Sequence, residues 1–211
     1  MQVGLQDKLV AILIVDVPGY DRLMQDDQAA TRVGLQRQYR EVIDASIAIH
    51  GGRIFELEED HTIAEFGGPL GAVRCALDIH EGLARRNPDL PAAERVPLRL
   101  GIHYGQVRVD KGELEGEALT IADRVKALAK PGEICISRTV LDHVQQRLGL
   151  TVEDLAGLDR AAPSEGLAFR LCIDDTMSRR GMPPWLANLG RLTVTVMIAV
   201  AAVWLAMTSG G

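Results

Sequence analysis

Residues 9–20 read LVAILIVDVPGY, with seven apolar residues running unbroken into Asp16 before Val17, Pro18, Gly19 and Tyr20. A leucine and β-branched run of this kind, closed by proline and glycine, predicts a central strand buried on both faces. The C-terminal end of such a strand opens on the cleft where ligands of α/β sheets sit. The residue at that end is a carboxylate, and it has two readings. Beside Val-Pro-Gly, Asp16 is either a turn or helix-capping aspartate or a ligand-facing acid.

The 211 residues allow one substantial domain and a small appendage. A net charge of −6 supplies no basic stripe to neutralise phosphates, which argues against a nucleic-acid partner. Cys75, Cys135 and Cys172 lack CxxC spacing and are odd in number, so reduced, buried thiols of a cytosolic compartment are expected, not a disulfide frame or zinc site. No apolar h-region precedes Leu9, which excludes the signal-peptide pattern at this end of the chain.

Residues 21–49 carry no proline. Val33, Tyr39, Val42, Ile43 and Ile47 recur at helical intervals, predicting one helix that His50-Gly51-Gly52 ends. Residues 53–58 and 62–66 alternate around Glu59-Asp60-His61 and predict a hairpin with Asp60 near its tip. A second helix is expected over 70–85, with Val73, Ala76, Leu77, Ile79 and Leu83 inward, and a strand over 96–104 that 106–109 extends or pairs. Beyond it come a helix over 116–129 with Leu119, Ala122, Val125 and Leu128 on its core face, a strand at 134–137, a helix at 139–148, and strands at 152–155 and 167–172.

Strand–helix–hairpin–helix–strand is the split βαβ, ferredoxin-like order of an α+β domain. Its two helices are expected to cover one face of an antiparallel sheet. In that topology the end of the first strand lies beside the hairpin tip, so Asp16 and Asp60 converge. Two adjacent carboxylates must share a proton or bind a cation, which favours a metal role for Asp16.

Five stretches, taken in order, resemble the class III adenylate/guanylate cyclase catalytic domain: residues 9–24, 41–66 (EVIDASIAIHGGRIFELEEDHTIAEF), 72–79, 98–107 (LRLGIHYGQV) and 127–137 (ALAKPGEICIS). The resemblance spans roughly residues 8–172. It implies a βαββαβ core, ATP or GTP as substrate, two Mg2+ or Mn2+, and a head-to-tail dimer with composite sites between subunits. Asp16 and Asp60 stand at the two metal carboxylates, with the Val17 carbonyl as a further ligand, and Arg99 matches a phosphate-contacting arginine. Gly19 and Tyr20 fall in the phosphate-binding turn.

The complementary half departs from the family pattern. Glu56 replaces the base-reading lysine, as guanylate cyclases also do, and suits the N1 and N2 donors of guanine. Glu113 occupies the second base-reading position. Thr120 of TIADR replaces the transition-state asparagine, while the arginine persists as Arg124. Asp159 replaces the phosphate-binding lysine. Pro18 removes an amide donor beside the turn, and Asp21 sets a negative charge at a helix start that should welcome an anion. Each lost transition-state hydrogen bond costs on the order of 3 kcal/mol, or about a hundredfold in rate.

Residues 192–207 (LTVTVMIAVAAVWLAM) are free of charge. As a helix they span roughly 24 Å, and flanking residues extend them toward a hydrocarbon core of ~30 Å. A transmembrane helix over 189–208 is therefore expected after a linker at 174–188, with a tail at 209–211 and the cyclase-like domain at 1–173. Arg179, Arg180 and Arg191 precede the span and predict a cytoplasmic domain on a single-pass C-terminal anchor. Together these features predict a membrane-anchored cyclase whose metal half is kept and whose base and transition-state half is eroded. Its activity is then weak or dependent on a homodimer or heterodimer partner. The other reading is an inactive pseudocyclase serving dimerisation or nucleotide sensing.

Overall fold

The computed structural model describes residues 6–90, 94–110, 113–155 and 168–173, without the side chains of residues 6, 39, 40, 110 and 113. The 9–15 run forms the middle of strand β1 (Gln6–Asp16), and the chain then turns into helix α1 (Tyr20–Asp26). Helix α2 (Gln28–Gln38), a π-helical segment (Tyr39–Ile43) and α3 (Asp44–Ile49) follow. The hairpin is β2 (Arg53–Leu57) and β3 (His61–Phe66), and α4 (Pro69–Arg86) leads through a short 3-10 turn (Asn87–Asp89) toward β4 (Arg99–Asp110). The remaining elements are β5 (Glu113–Glu115), α5 (Glu117–Ala127), β6 (Ile134–Ser137), α6 (Arg138–Leu148), β7 (Thr151–Asp154) and β8 (Ala168–Cys172).

Among the described residues these strands form one sheet in the order β2-β3-β1-β4-β6-β8-β7, with β5 pairing β4. The β2-β3-β1-β4 portion is the expected split βαβ order, with β1 interior between β3 and β4. The sheet is mixed, however, because β4 and β6 run parallel. The crossover that a parallel pair needs is α5.

The two faces of β1 alternate as the pleat requires. Val10, Ile12 and Ile14 pack with Val107, Leu114, Ala118 and Ala122 beneath α5. Ala11, Leu13 and Val15 point to the opposite face and are almost fully buried, and α4 packs on β1, β3 and β4. Helices therefore cover both faces of β1: α4 lies on the face expected for the split βαβ unit, and α5, which follows that unit, covers the other. Gly101 of β4 permits the close packing of α5: a Cβ there would lie 2.5 Å from the backbone N and Cα of Lys126.

The single helix expected over 21–49 is broken twice. Asp27 takes an extended backbone, with φ −155° and ψ 91°. Its Oδ1 accepts the amide of Ala30 at 3.0 Å and its carbonyl accepts Thr31, so it caps α2 and restarts the helix. The π segment then shifts the apolar phase. Val33, expected inward, is 47% exposed, while Val42, Ile43 and Ile47 are buried. The α5 phase differs as well, with Ala118 and Ile121 buried and Leu119 and Leu128 only partly covered.

Cys75 and Cys135 are buried and Cys172 is half-buried, all as free thiols. The expected linker, membrane helix and tail lie outside the described residues, as does Asp159. Among the described residues no helix is long and apolar enough to cross a membrane.

Candidate functional site

The end of β1 is held between two neighbours. Asp16 lies opposite His61 of β3 on one side and opposite Arg99 of β4 on the other. One step further, the Val17 amide donates to the Asp60 carbonyl at 2.9 Å, which fixes the hairpin tip beside the strand end. Residues opposite one another share a face, so Asp16, His61 and Arg99 emerge on the α5 side of the sheet. There they meet Lys126 and Asp123, and a cavity of about 350 Å³ is lined by Asp16, Glu56, Asp60, His61, Asp123 and Lys126.

Asp16 is 8% exposed, too buried to remain charged without partners. Arg99 Nε donates to its Oδ2, and Lys126 Nζ stands 3.7 Å from its Oδ1. Lys126 also pairs with Asp123 Oδ1 at 2.6 Å. Beside them His61 bridges acids: Nδ1 is 3.0 Å from Asp60 Oδ1, and Nε2 is 3.2 Å from Glu56 Oε1. Burial opposes a charge on His61, but the hydrogen bonds to Asp60 and Glu56 outweigh it and raise its pKa. Glu56, Glu58 and His61 also bring one ligand atom each within 4.8 Å of one another, a group able to hold a metal ion.

The turn after Asp16 is built around Gly19, whose φ of 73° is the left-handed region that glycine enters at no steric cost. The Gly19 carbonyl accepts the amides of Arg22 and Leu23, both at 3.1 Å, and so starts α1. Tyr20 does not line the cavity of Asp16. Its hydroxyl donates to Glu59 Oε2 at 2.6 Å, and that bond raises the phenol to about 12. Tyr20, Arg32, Leu57, Glu58 and Glu59 line a separate hollow of about 520 Å³.

The structure thus gathers Asp16, Asp60, Glu56 and Arg99, with Val17 at the junction. It does not bring Gly19, Tyr20, Thr120 or Arg124 to the same cavity. Thr120 and Arg124 lie exposed on α5, where Arg124 has no ion pair among the described residues. Glu113 pairs with Asp110 in the β4–β5 ladder. Sequence reasoning missed His61, Asp123 and Lys126. One sign of them was the histidine directly after Asp60. Another was the Asp123–Lys126 spacing, which puts opposite charges on one helix face three residues apart.

No protein-family model matches the sequence. A solved structure of an adenylate/guanylate cyclase/hydrolase from Silicibacter pomeroyi is 34% identical, with a TM-score of 0.69, over 80% of this chain and 99% of that one. The adenylyl cyclase CyaB from P. aeruginosa shares the fold at a TM-score of 0.71 and 15% identity, over 86% of this chain and 100% of that one. The Rhizobium meliloti (strain 1021) protein named "Putative adenylate cyclase 3" is 35% identical over 151 residues, or 72% of this chain. This chain matches only 26% of the length of that relative. By fold and by the near-complete overlap with the Silicibacter protein, the chain belongs to the class III adenylate/guanylate cyclase family.

Proposed function

We propose that this domain is the metal-donating half of a class III nucleotide cyclase, converting ATP or GTP to the cyclic nucleotide and pyrophosphate in a dimeric site. The observation that carries the reading is the backbone bond from Val17 to Asp60, which aligns two carboxylates at one cavity. The donor set is all oxygen, the chemistry that Mg2+ and Mn2+ prefer. Asp16, Asp60 and the Val17 carbonyl would hold two such ions, which when bound activate the ribose 3′-hydroxyl and neutralise the pyrophosphate. The 3′-oxygen forms a bond to the α-phosphorus as the bond from that phosphorus to the β-phosphate oxygen breaks.

Within this reading Arg99 contacts phosphate and orients it. Glu56, Glu113, Thr120 and Arg124 serve the reciprocal half, where Glu56 accepts from the base, leaning that half toward guanine, and Arg124 stabilises charge developing in the transition state. Thr120 in place of asparagine and Glu56 in place of lysine weaken that half. A homodimer should therefore be slow, and a heterodimer with an intact cyclase domain should be faster. Assay of product formation by the full chain with Mn2+ and each nucleotide tests the assignment. Asp16→Ala and Asp60→Ala should each abolish product, and activity surviving both would remove the metal role.

The reading extends to residues 189–208 as a single-pass anchor holding the domain, residues 1–173, at the cytoplasmic side of a membrane. Its support is the uncharged run at 192–207 and the arginines before it. Membrane fractionation of the full chain against a chain ending at residue 173 tests this. Retention of the full chain in an alkaline-washed membrane pellet is expected, and its recovery in the supernatant would contradict the anchor.

A further inference from the structure

Two cations engage Asp16, and the proposed function uses only Arg99, which does not line the cavity. The other, Lys126, has a side chain 13% exposed, with Nζ 3.7 Å from Asp16 Oδ1 and 2.6 Å from Asp123 Oδ1. Its position is built in, because Gly101 leaves room for the α5 backbone to press against β4 at this residue. Arg99 engages the other oxygen of Asp16, so both oxygens of a nearly enclosed carboxylate face a positive charge. A divalent cation approaching Asp16 meets those charges as repulsion. A polyphosphate entering the same cavity meets them as attraction, and Lys126 is its natural counter-charge among Glu56, Asp60 and Asp123.

We propose that Lys126 is a triphosphate-contacting residue that occupies Asp16 until nucleotide arrives. On binding, its ammonium leaves Asp16 Oδ1 for a phosphate oxygen, and Asp16 becomes available to the metal. Metal and triphosphate then strengthen each other's binding by one shared factor. The proposal rests on Asp16 being a metal ligand, and its test separates the two ideas.

The test uses the detergent-solubilised full chain in two measurements. The first is Mn2+ affinity without nucleotide, read by electron paramagnetic resonance. The second is affinity for α,β-methylene-ATP and α,β-methylene-GTP at saturating Mn2+, read by calorimetry. Lys126→Met should bind Mn2+ about tenfold tighter than the parent chain and the analogues about tenfold more weakly, the scale of one charge-assisted contact. Lys126→Arg should match the parent in both. Lys126→Gln gives the same neutral comparison should methionine destabilise the fold. Two affinities that fall together, two that stay unchanged, or an arginine variant that behaves as methionine does would overturn the proposal. Asp16→Asn should weaken Mn2+ binding in either background. An Mn2+ affinity that it leaves unchanged defeats the metal assignment itself, whatever Lys126 does.

Discussion

The amide of Val17 donates to the carbonyl of Asp60 across 43 positions of chain, at 2.9 Å, and this one bond joins the end of the central strand to the hairpin tip. The two acids beside it differ in setting. Asp16 is buried and clamped by cations, while the side chain of Asp60 is 45% exposed and shared with His61. Asp16 is thus the more firmly held of the two carboxylates. Its replacement should disturb the cavity more than replacement of Asp60, because it removes the carboxylate that Arg99 and Lys126 share.

Gly101→Ala should destabilise the domain, because the new Cβ would meet backbone atoms of Lys126 at 2.5 Å and neither strand nor helix can yield cheaply. Overpacking of this kind costs about 1–3 kcal/mol. Urea unfolding of the two proteins measures it. An unchanged midpoint would show that α5 slides freely over β4.

His103 gives the domain an acid-sensitive core. Burial pushes its pKa down to about 4, while Nδ1 stays 2.9 Å from Ser137 Oγ. The unfolded chain takes up the proton near the ordinary value, so it binds more protons than the native state between about 6.5 and 4. Stability should be full above that window and fall as pH drops through it, by at most about 1.4 kcal/mol per unit. Denaturant midpoints measured from pH 7.5 to 4.5 should show the slope, and His103→Gln should lose its share of it.

Thiol labelling should separate the cysteines. Cys75 and Cys135 are fully buried, and burial pushes both thiols up to about 12, so neither offers a thiolate at neutral pH. Cys172 is only half-buried. A disulfide reagent should modify Cys172 first in the native protein and all three thiols only in denaturant. Prompt native labelling of Cys75 would contradict the packing of α4.

Much of the fold was legible because its signals are local. The unbroken run ending at Asp16 announced the interior strand, the alternation around Asp60 announced the hairpin, and topology alone predicted that the two acids meet. What the sequence hid depends on contacts between distant segments. The break at Asp27 is a side-chain cap inside a stretch with no proline, and the π segment changes phase without any distinctive residue. The side of the sheet taken by α5 follows from a parallel crossover, whose length looks like any helix and loop. The packing of Lys126 is not legible in the sequence, because nothing in its neighbourhood says that Gly101 lies beneath it.

The central claim is that this chain donates a working metal half. The most direct measurement mixes its domain with an active cyclase domain from which both metal carboxylates have been removed, under conditions where a heterodimer forms. The account predicts restored cyclic-nucleotide formation that disappears with Asp16→Ala or Asp60→Ala in this chain. A heterodimer that forms and makes no product, or product that persists without those two acids, would contradict it.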